Sequence, residues 1–451
     1  MMVMIDNEVW NGFIQAIQTI ENSPRLAAEW CQRLGELAPW WLTARALEQA
    51  AEYTGQRFYH HRAPGLGCCS VLIVSTSRFQ HTVALPLQWR ANTTDDPGLP
   101  PDLRRVADEV RDHLKTQPPE WGLHLDVSHA DLSGLSKLSA DSGWAPLAIG
   151  LSLAKLRIRS NPRTWVTGAW NPHVGGLEQV DDIEAKLQRA IEIGADSFIV
   201  PPANANRARQ LASMSRPAPE VVVLNSSQQL EAAFRPALVH AGVPPALHDP
   251  LDDRLAYLNL ILDRSQRNKY YAQFLSSTLA IQVRERSRHP ETPTPNRFDF
   301  LVTVGSANTD HIMLASQTHQ VREVLILHTQ EYREQCYQAA QWLGDFQIQA
   351  VLKAFAKRPS YVDTYNEIKT RLEPWLGRVR EPDQLVFDLT PGQRPMAAAL
   401  EDLAPVGSWL IYLHHHYDQQ NRPRPGEDHY ECWRKTAERR FPSLKLDGFD
   451  S

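Results

Sequence analysis

Beyond residue 297 the chain alternates short apolar runs with helix-forming stretches, and this alternation constrains the fold more than any other feature. Residues 298–304, 323–327, 347–352, 385–389 and 409–413 read as five strands, and residues 332–343 as one of the helices between them. Such alternation builds a doubly wound parallel sheet, which takes its ligands beyond the carboxyl ends of its strands. Two of those ends are rich in small residues: Gly305-Ser306-Ala307-Asn308 after the first strand and Thr390-Pro391-Gly392-Gln393-Arg394 after the fourth. Each opens a helix, whose free N–H groups favour an anion such as phosphate. Arg394, with Arg422 and Arg424 further on, adds charge-assisted contacts. His416, the last of His414-His415-His416, is a further candidate contact. Neither loop fits the dinucleotide fingerprint or the Walker A pattern, and the 451 residues hold no Gly-Lys-Ser/Thr, so ATP-driven unfolding is not expected here.

A second stretch, residues 138–201, carries the candidate chemistry. It runs from Asp141-Ser142-Gly143-Trp144 into an apolar helix, residues 145–156, then to a strand ending Thr167-Gly168. Gly175-Gly176 follows, then an amphipathic helix with Lys186, then a strand stopped by Pro201. The chemistry on offer is one hydroxyl and one amine. A serine and a lysine form a catalytic pair only where burial keeps the lysine neutral enough to accept a proton. Lys186 shares its helix with Ile183, Leu187 and Ala190, which suits burial; beside Asp181, Asp182 and Glu184 it fits a surface lysine equally well.

The remainder of the chain sets bounds. Residues 1–54 read as helical, with Trp10, Phe13, Ile14, Ile17 and Ile20 at helical spacing; strands take over from about residue 57. Residues 236–289 read as a mostly helical connector, and Pro290, Pro293 and Pro295 stiffen a linker after it. The expected domains are 1–54, 55–235, 236–296 and 297–451. Asp6, Asn7 and Glu8 interrupt the first apolar stretch, and residues 144–154, the longest such run, are too short to span a bilayer. Five scattered cysteines fit a reducing compartment, so a cytoplasmic protein is expected. A formal net charge of −5 argues against a general nucleic-acid surface and leaves room for a local basic pocket. His60-His61, neighbours on one strand, point to opposite faces and make a poor metal pair.

The order of motifs in residues 138–201 resembles the proteolytic domain of the Lon family. The resemblance puts Ser142 on the nucleophile, Lys186 on the catalytic lysine and Thr167 on the threonine beside it. The family's Pro-Ser-Ala-Gly reads Asp141-Ser142-Gly143-Trp144 here. Residues 297–435 resemble the CARF domain, the CRISPR-associated Rossmann fold. Asp388-Leu389-Thr390-Pro391-Gly392-Gln393-Arg394-Pro395-Met396 stands where that family reads Asp-x-Thr-Gly-Gly-x-Lys-x-Met. Together the resemblances imply a multidomain protein: a helical N-terminal segment, a Lon-like α+β domain, a helical connector and a Rossmann-like α/β sensor. They imply a homodimer, or a higher oligomer when active, binding cyclic oligoadenylate across its two-fold axis. The implied ligand residues are Gly305, Ser306, Ala307, Asn308, Thr390, Pro391, Gly392, Gln393, Arg394, His416 and Arg422.

The function expected is a cyclic-oligoadenylate-activated serine protease of type III CRISPR defence that cuts a partner protein, with no metal, no cofactor and no direct DNA binding. Two other readings compete. Asp181, Glu184 and Lys186 give the D-x-x-E-x-K spacing of metal-dependent nucleases, which place those residues on a strand. Alternatively, the altered Asp141-Ser142-Gly143-Trp144 marks a dead protease fold that only senses its ligand.

Overall fold

The computed structural model describes residues 65–437, apart from 75–81, 117–118, 126–139, 174, 193, 216–217, 225–229, 288–296, 357–359 and 417–426. The expected helices of residues 1–54, His60-His61, the linker prolines and Arg422 and Arg424 therefore lie outside the described residues. The chain divides into two compact units, Met1–Pro245 and Ala246–Ser451.

The first unit is α+β. Strands β1 (Cys68–Val74), β2 (Thr82–Ala91) and, after helix α1 (Pro101–His113), β3 (Trp121–Leu125) form an antiparallel sheet in that order. Helix α1 starts on proline, carries Asp102 in its first turn and Arg111 and His113 in its last, and buries Leu103, Val106 and Val110. The turn Asp141–Gly143 leads straight into α2 (Trp144–Lys155), whose residues 144–151 are all buried. A helix apolar on every side belongs in the middle of a core, and α2 packs on β1, α1 and the helix Leu230–Ala241. Strand β4 (Thr164–Val166) follows, then the hairpin β5 (Ala169–Asn171) and β6 (Gly176–Glu178). Helix α3 (Ile183–Glu192), β7 (Ser197–Val200), α4 (Ala205–Ala212), β8 (Glu220–Val223) and α5 (Leu230–Ala241) complete the unit. Strands β4, β7 and β8 make a parallel sheet in the order β4-β7-β8. Against its core Ile183, Leu187 and Ala190 pack with Trp165, Phe198 and Val200.

The second unit is α/β. Helices α6 (Leu251–Leu260), α7 (Arg264–Phe274) and α8 (Ser276–Arg286) precede β9 (Phe300–Val304), α9 (Asp310–Thr318), β10 (Glu323–His328) and α10 (Arg333–Asp345). Then come β11 (Gln349–Ala354), α11 (Tyr361–Leu376), β12 (Leu385–Asp388), α12 (Arg394–Leu403), β13 (Trp409–His414) and β14 (His429–Arg434). The six strands stand in the order β11-β10-β9-β12-β13-β14. The direction of travel reverses between β9 and β12, the switch point at which open sheets of this kind bind ligands. The sheet is mixed rather than purely parallel, because β14 returns antiparallel along β13, with His414 opposite His429. The alternating period ends before β14, so that period does not predict this strand.

Residues 236–296, expected as one connector, divide between the units. Residues 236–241 finish α5 in the first; α6 to α8 belong to the second, where α8 packs on α9 and β14. No helix among the described residues is long and apolar enough to cross a membrane.

Candidate active site and ligand mouth

Ser142 and Lys186, 44 residues apart, meet in the first unit with Nζ 3.1 Å from Oγ. The serine lies in the 3₁₀ turn before α2 and is tied by its backbone to the end of β4. Gly168 N–H donates to the Ser142 carbonyl at 3.0 Å, and Ala145 N–H donates to the Gly168 carbonyl at 2.9 Å. The turn needs glycine at position 143, since a Cβ there would lie 2.9 Å from Val71 Cγ1. Trp144 then anchors the start of α2. It is 1% exposed, stacks on Trp170 of β5 at 4.9 Å, and meets the edge of His113 at 5.3 Å.

Lys186, 5% exposed, reaches the serine from the first turns of α3. Its amine also donates to the Asp181 carbonyl at 3.0 Å. Asp182 (φ +55°) lies between, in the left-handed region that aspartate tolerates, and makes the turn into α3. Burial pushes the Lys186 pKa below its ordinary value, while the Asp182 and Asp181 carboxylates oppose the shift. A buried amine with a hydroxyl in reach is the arrangement a general base requires.

Thr167, which the resemblance sets beside the lysine, is buried, but its hydroxyl makes no hydrogen bond among the described residues. The second contact of the amine is the Asp181 carbonyl instead. Such a backbone partner has no residue-type signal, and sequence reasoning missed it. The residues of the nuclease spacing diverge: Glu184 bonds Arg207 Nε at 2.7 Å, whereas Lys186 turns to Ser142. Positions two apart on a helix leave it in different directions.

In the second unit the Gly305–Asn308, Thr390–Arg394 and His416 segments all follow the carboxyl ends of the adjacent strands β9, β12 and β13. A buried network ties those ends together. Thr303 Oγ1 donates to Asp388 Oδ2 at 3.2 Å, Thr390 N–H donates to Asp388 Oδ1 at 3.0 Å, and Leu413 N–H donates to Thr390 Oγ1 at 2.8 Å. Asp388 is wholly buried, which pushes its pKa up, with His311 and the two threonines opposing.

This geometry sorts the expected ligand residues. Asn308, Gly392, Gln393, Arg394 and His416 are exposed, Ser306 and Ala307 half-buried. Thr390 serves the network, and Pro391 is buried. Gly305 is buried too, and its smallness answers a neighbour rather than a ligand: a Cβ there would fall 2.1 Å from Cys336 Sγ. Gly392, at φ +92°, adopts a conformation few other residues tolerate. Compared with known proteins, the chain matches no family model and no curated protein.

Proposed function

We propose that the chain is a serine endopeptidase with a Ser142–Lys186 dyad, governed by a cyclic oligoadenylate at the mouth of the second unit, and that it acts in type III CRISPR defence. The observation that carries the catalytic half is the 3.1 Å approach of a buried lysine amine to a serine hydroxyl. The sensing half rests on the resemblance to CARF domains and on exposed Gly392, Gln393 and Arg394 at the switch point of the sheet.

The reaction follows from the pair. Neutral Lys186 Nζ takes the Ser142 hydroxyl proton as Oγ attacks the peptide carbonyl carbon. The tetrahedral intermediate expels the amine, which leaves with the proton from Nζ, and an acyl ester on Ser142 remains. Water attacks that ester and gives its proton to Nζ; Oγ recovers it as the acid departs. The activity is ATP-independent, acts in the cytoplasm on a partner encoded nearby, and belongs to a homodimer or to a larger assembly formed on activation.

The test incubates the full chain with cyclic tri-, tetra- and hexa-adenylate and with proteins encoded beside it. Ligand-dependent cleavage that is lost in Ser142→Ala and in Lys186→Ala, both still folded, is the expected result. Cleavage at the wild-type rate by either mutant refutes the dyad. Metal-dependent cutting of RNA or DNA that survives in Ser142→Ala would establish the nuclease instead.

A further inference from the structure

Helix α7 lies against the loop after β9. Arg267 Nη1 bonds Asp310 Oδ2 at 3.2 Å, and Asn268 Nδ2 donates to the Ala307 carbonyl at 3.4 Å. Tyr271, one turn on and wholly buried, lies within the fields of Asp310, Asp428 and Arg267. A helix outside the sheet thus grips the loop that begins the ligand mouth.

Three buried polar atoms at this junction have no hydrogen-bond partner among the described residues, Thr309 Oγ1, Asn268 Oδ1 and Asp310 Oδ1. Thr309 and Asn268 are each 1% exposed. Thr309 is the N-cap of α9, yet its hydroxyl accepts nothing from the first turn, as a threonine there usually does. Unpaired buried polar atoms are rare in folded proteins, and of these the Thr309 hydroxyl is the one that can donate to an anion.

The charges at this helix start conflict with an anionic ligand. Asp310 occupies the first turn of α9 and is 17% exposed at its side chain; burial pushes its pKa up, while Arg267 opposes. A phosphate drawn to the same N-terminus meets that carboxylate at close range. Arg267, 31% exposed, is the cation that pairs with it. Asp310 is the side-chain partner of its guanidinium among the described residues, which leaves most of its five N–H donors for a second anion.

We propose that Arg267 is a ligand-binding residue contributed from outside the sheet: it neutralises Asp310 in the free protein and contacts a phosphate of the bound nucleotide at the start of α9. The proposal rests on the cyclic oligoadenylate reading above, and it makes α7 the element that registers occupancy of the mouth.

Calorimetry on the full chain with cyclic tri-, tetra- and hexa-adenylate tests it, using wild type, Arg267→Gln, Arg267→Lys and Asp310→Asn. Arg267→Gln should weaken binding at least tenfold and flatten its salt dependence, Arg267→Lys should lose less, and Asp310→Asn should tighten binding several-fold by removing a like charge. A merely structural latch predicts otherwise, because Asp310→Asn then breaks the same pair and weakens binding as Arg267→Gln does. That result, or wild-type affinity in a folded Arg267→Gln, overturns the proposal. If Arg267→Gln fails to fold, Asp310→Asn still separates the two roles by the sign of its effect. Should none of the rings bind wild type, the cyclic oligoadenylate reading fails and this proposal goes with it.

Discussion

The dyad and the ligand mouth both sit where a strand gives way to a helix, yet they are built in opposite ways. At the dyad the working groups are side chains taken out of water: Lys186 is 5% exposed, and its pKa is moved by that burial. At the mouth the buried Asp388 and Thr303 and the half-buried Thr390 hold the frame, while Gly392, Gln393 and Arg394 remain in solvent. The difference is the one that the proposed chemistry of each site requires. A lysine base needs desolvation to lose its proton, so its site must be dry before substrate arrives. A polyanion-binding loop needs donors that water can leave at small cost, so its site stays open until the ligand closes it.

The largest effect expected from this contrast is at the dyad. Lys186→Met should lower cleavage by at least about a thousandfold, as loss of a catalytic base does. The protein should keep its fold and gain about 1 kcal/mol, because an apolar chain replaces a buried amine. A melting curve and a cleavage assay on the same preparation check both. The wild type should also be stabilised as pH rises from the folded Lys186 pKa towards 10.5, since the unfolded chain binds the extra proton in that window. Lys186→Met should lose that slope. Strong destabilisation in Lys186→Met would mean that the amine holds the fold together, and the contrast would fail.

The next effect separates packing from binding at the mouth. Gly305→Ala places a methyl where Cys336 Sγ now lies, 2.1 Å from the new carbon. Overpacking of this kind costs about 1–3 kcal/mol, visible as a lower melting temperature. Gly305→Ala with Cys336→Ala should recover most of the loss and bind ligand as wild type does. A stable double mutant without affinity would return Gly305 to the ligand site.

These two sites also mark how far the sequence could be read. Five of the six strands of the second unit were legible because apolar runs recur between helical stretches, and the residues at their ends fell together as the sheet required. Ser142 and Lys186 were singled out by the resemblance to the Lon family; from the residues alone, Lys186 beside Asp181, Asp182 and Glu184 fits a surface lysine equally well. What escaped was carried by backbone or by distant neighbours. The Asp181 carbonyl holds the amine whatever its side chain, Gly305 is glycine because of Cys336 thirty-one residues on, and α7 meets the loop after β9 only once the chain has folded. Thr167 shows the reverse limit: the resemblance sets it beside the lysine, and it is buried, but its hydroxyl makes no hydrogen bond among the described residues.

A smaller and graded effect is the pH profile. The base acts when neutral, so cleavage should rise about tenfold per pH unit and level off above the Lys186 pKa. Burial lowers that pKa, so the plateau should begin below 10.5. The mouth, with its donors in water, should show ligand affinity that varies little over the same range. Initial rates and calorimetric affinities measured between about pH 6 and 9 make the comparison. A rate that falls as pH rises would exclude lysine as the base.

The smallest effect expected lies beside the nucleophile itself. Asp141 precedes Ser142 and pairs with Arg105 of α1, which also pairs with Glu109 one turn along at 2.5 Å. The position invites a catalytic role, but the Arg105 side chain is 48% exposed and the Asp141 side chain 56%. Exposed pairs share their charges with water and salt, and contribute roughly 0–1 kcal/mol. The turn is already fixed by the Gly168 hydrogen bonds and by buried Trp144, none of which needs the ion pair. Arg105→Ala should therefore change the cleavage rate by less than about threefold, with a shift that shrinks further at high salt. A loss of several orders of magnitude that persists at high salt would place Arg105 among the working groups, and a catalytic site described as dry would then have an essential member in solvent.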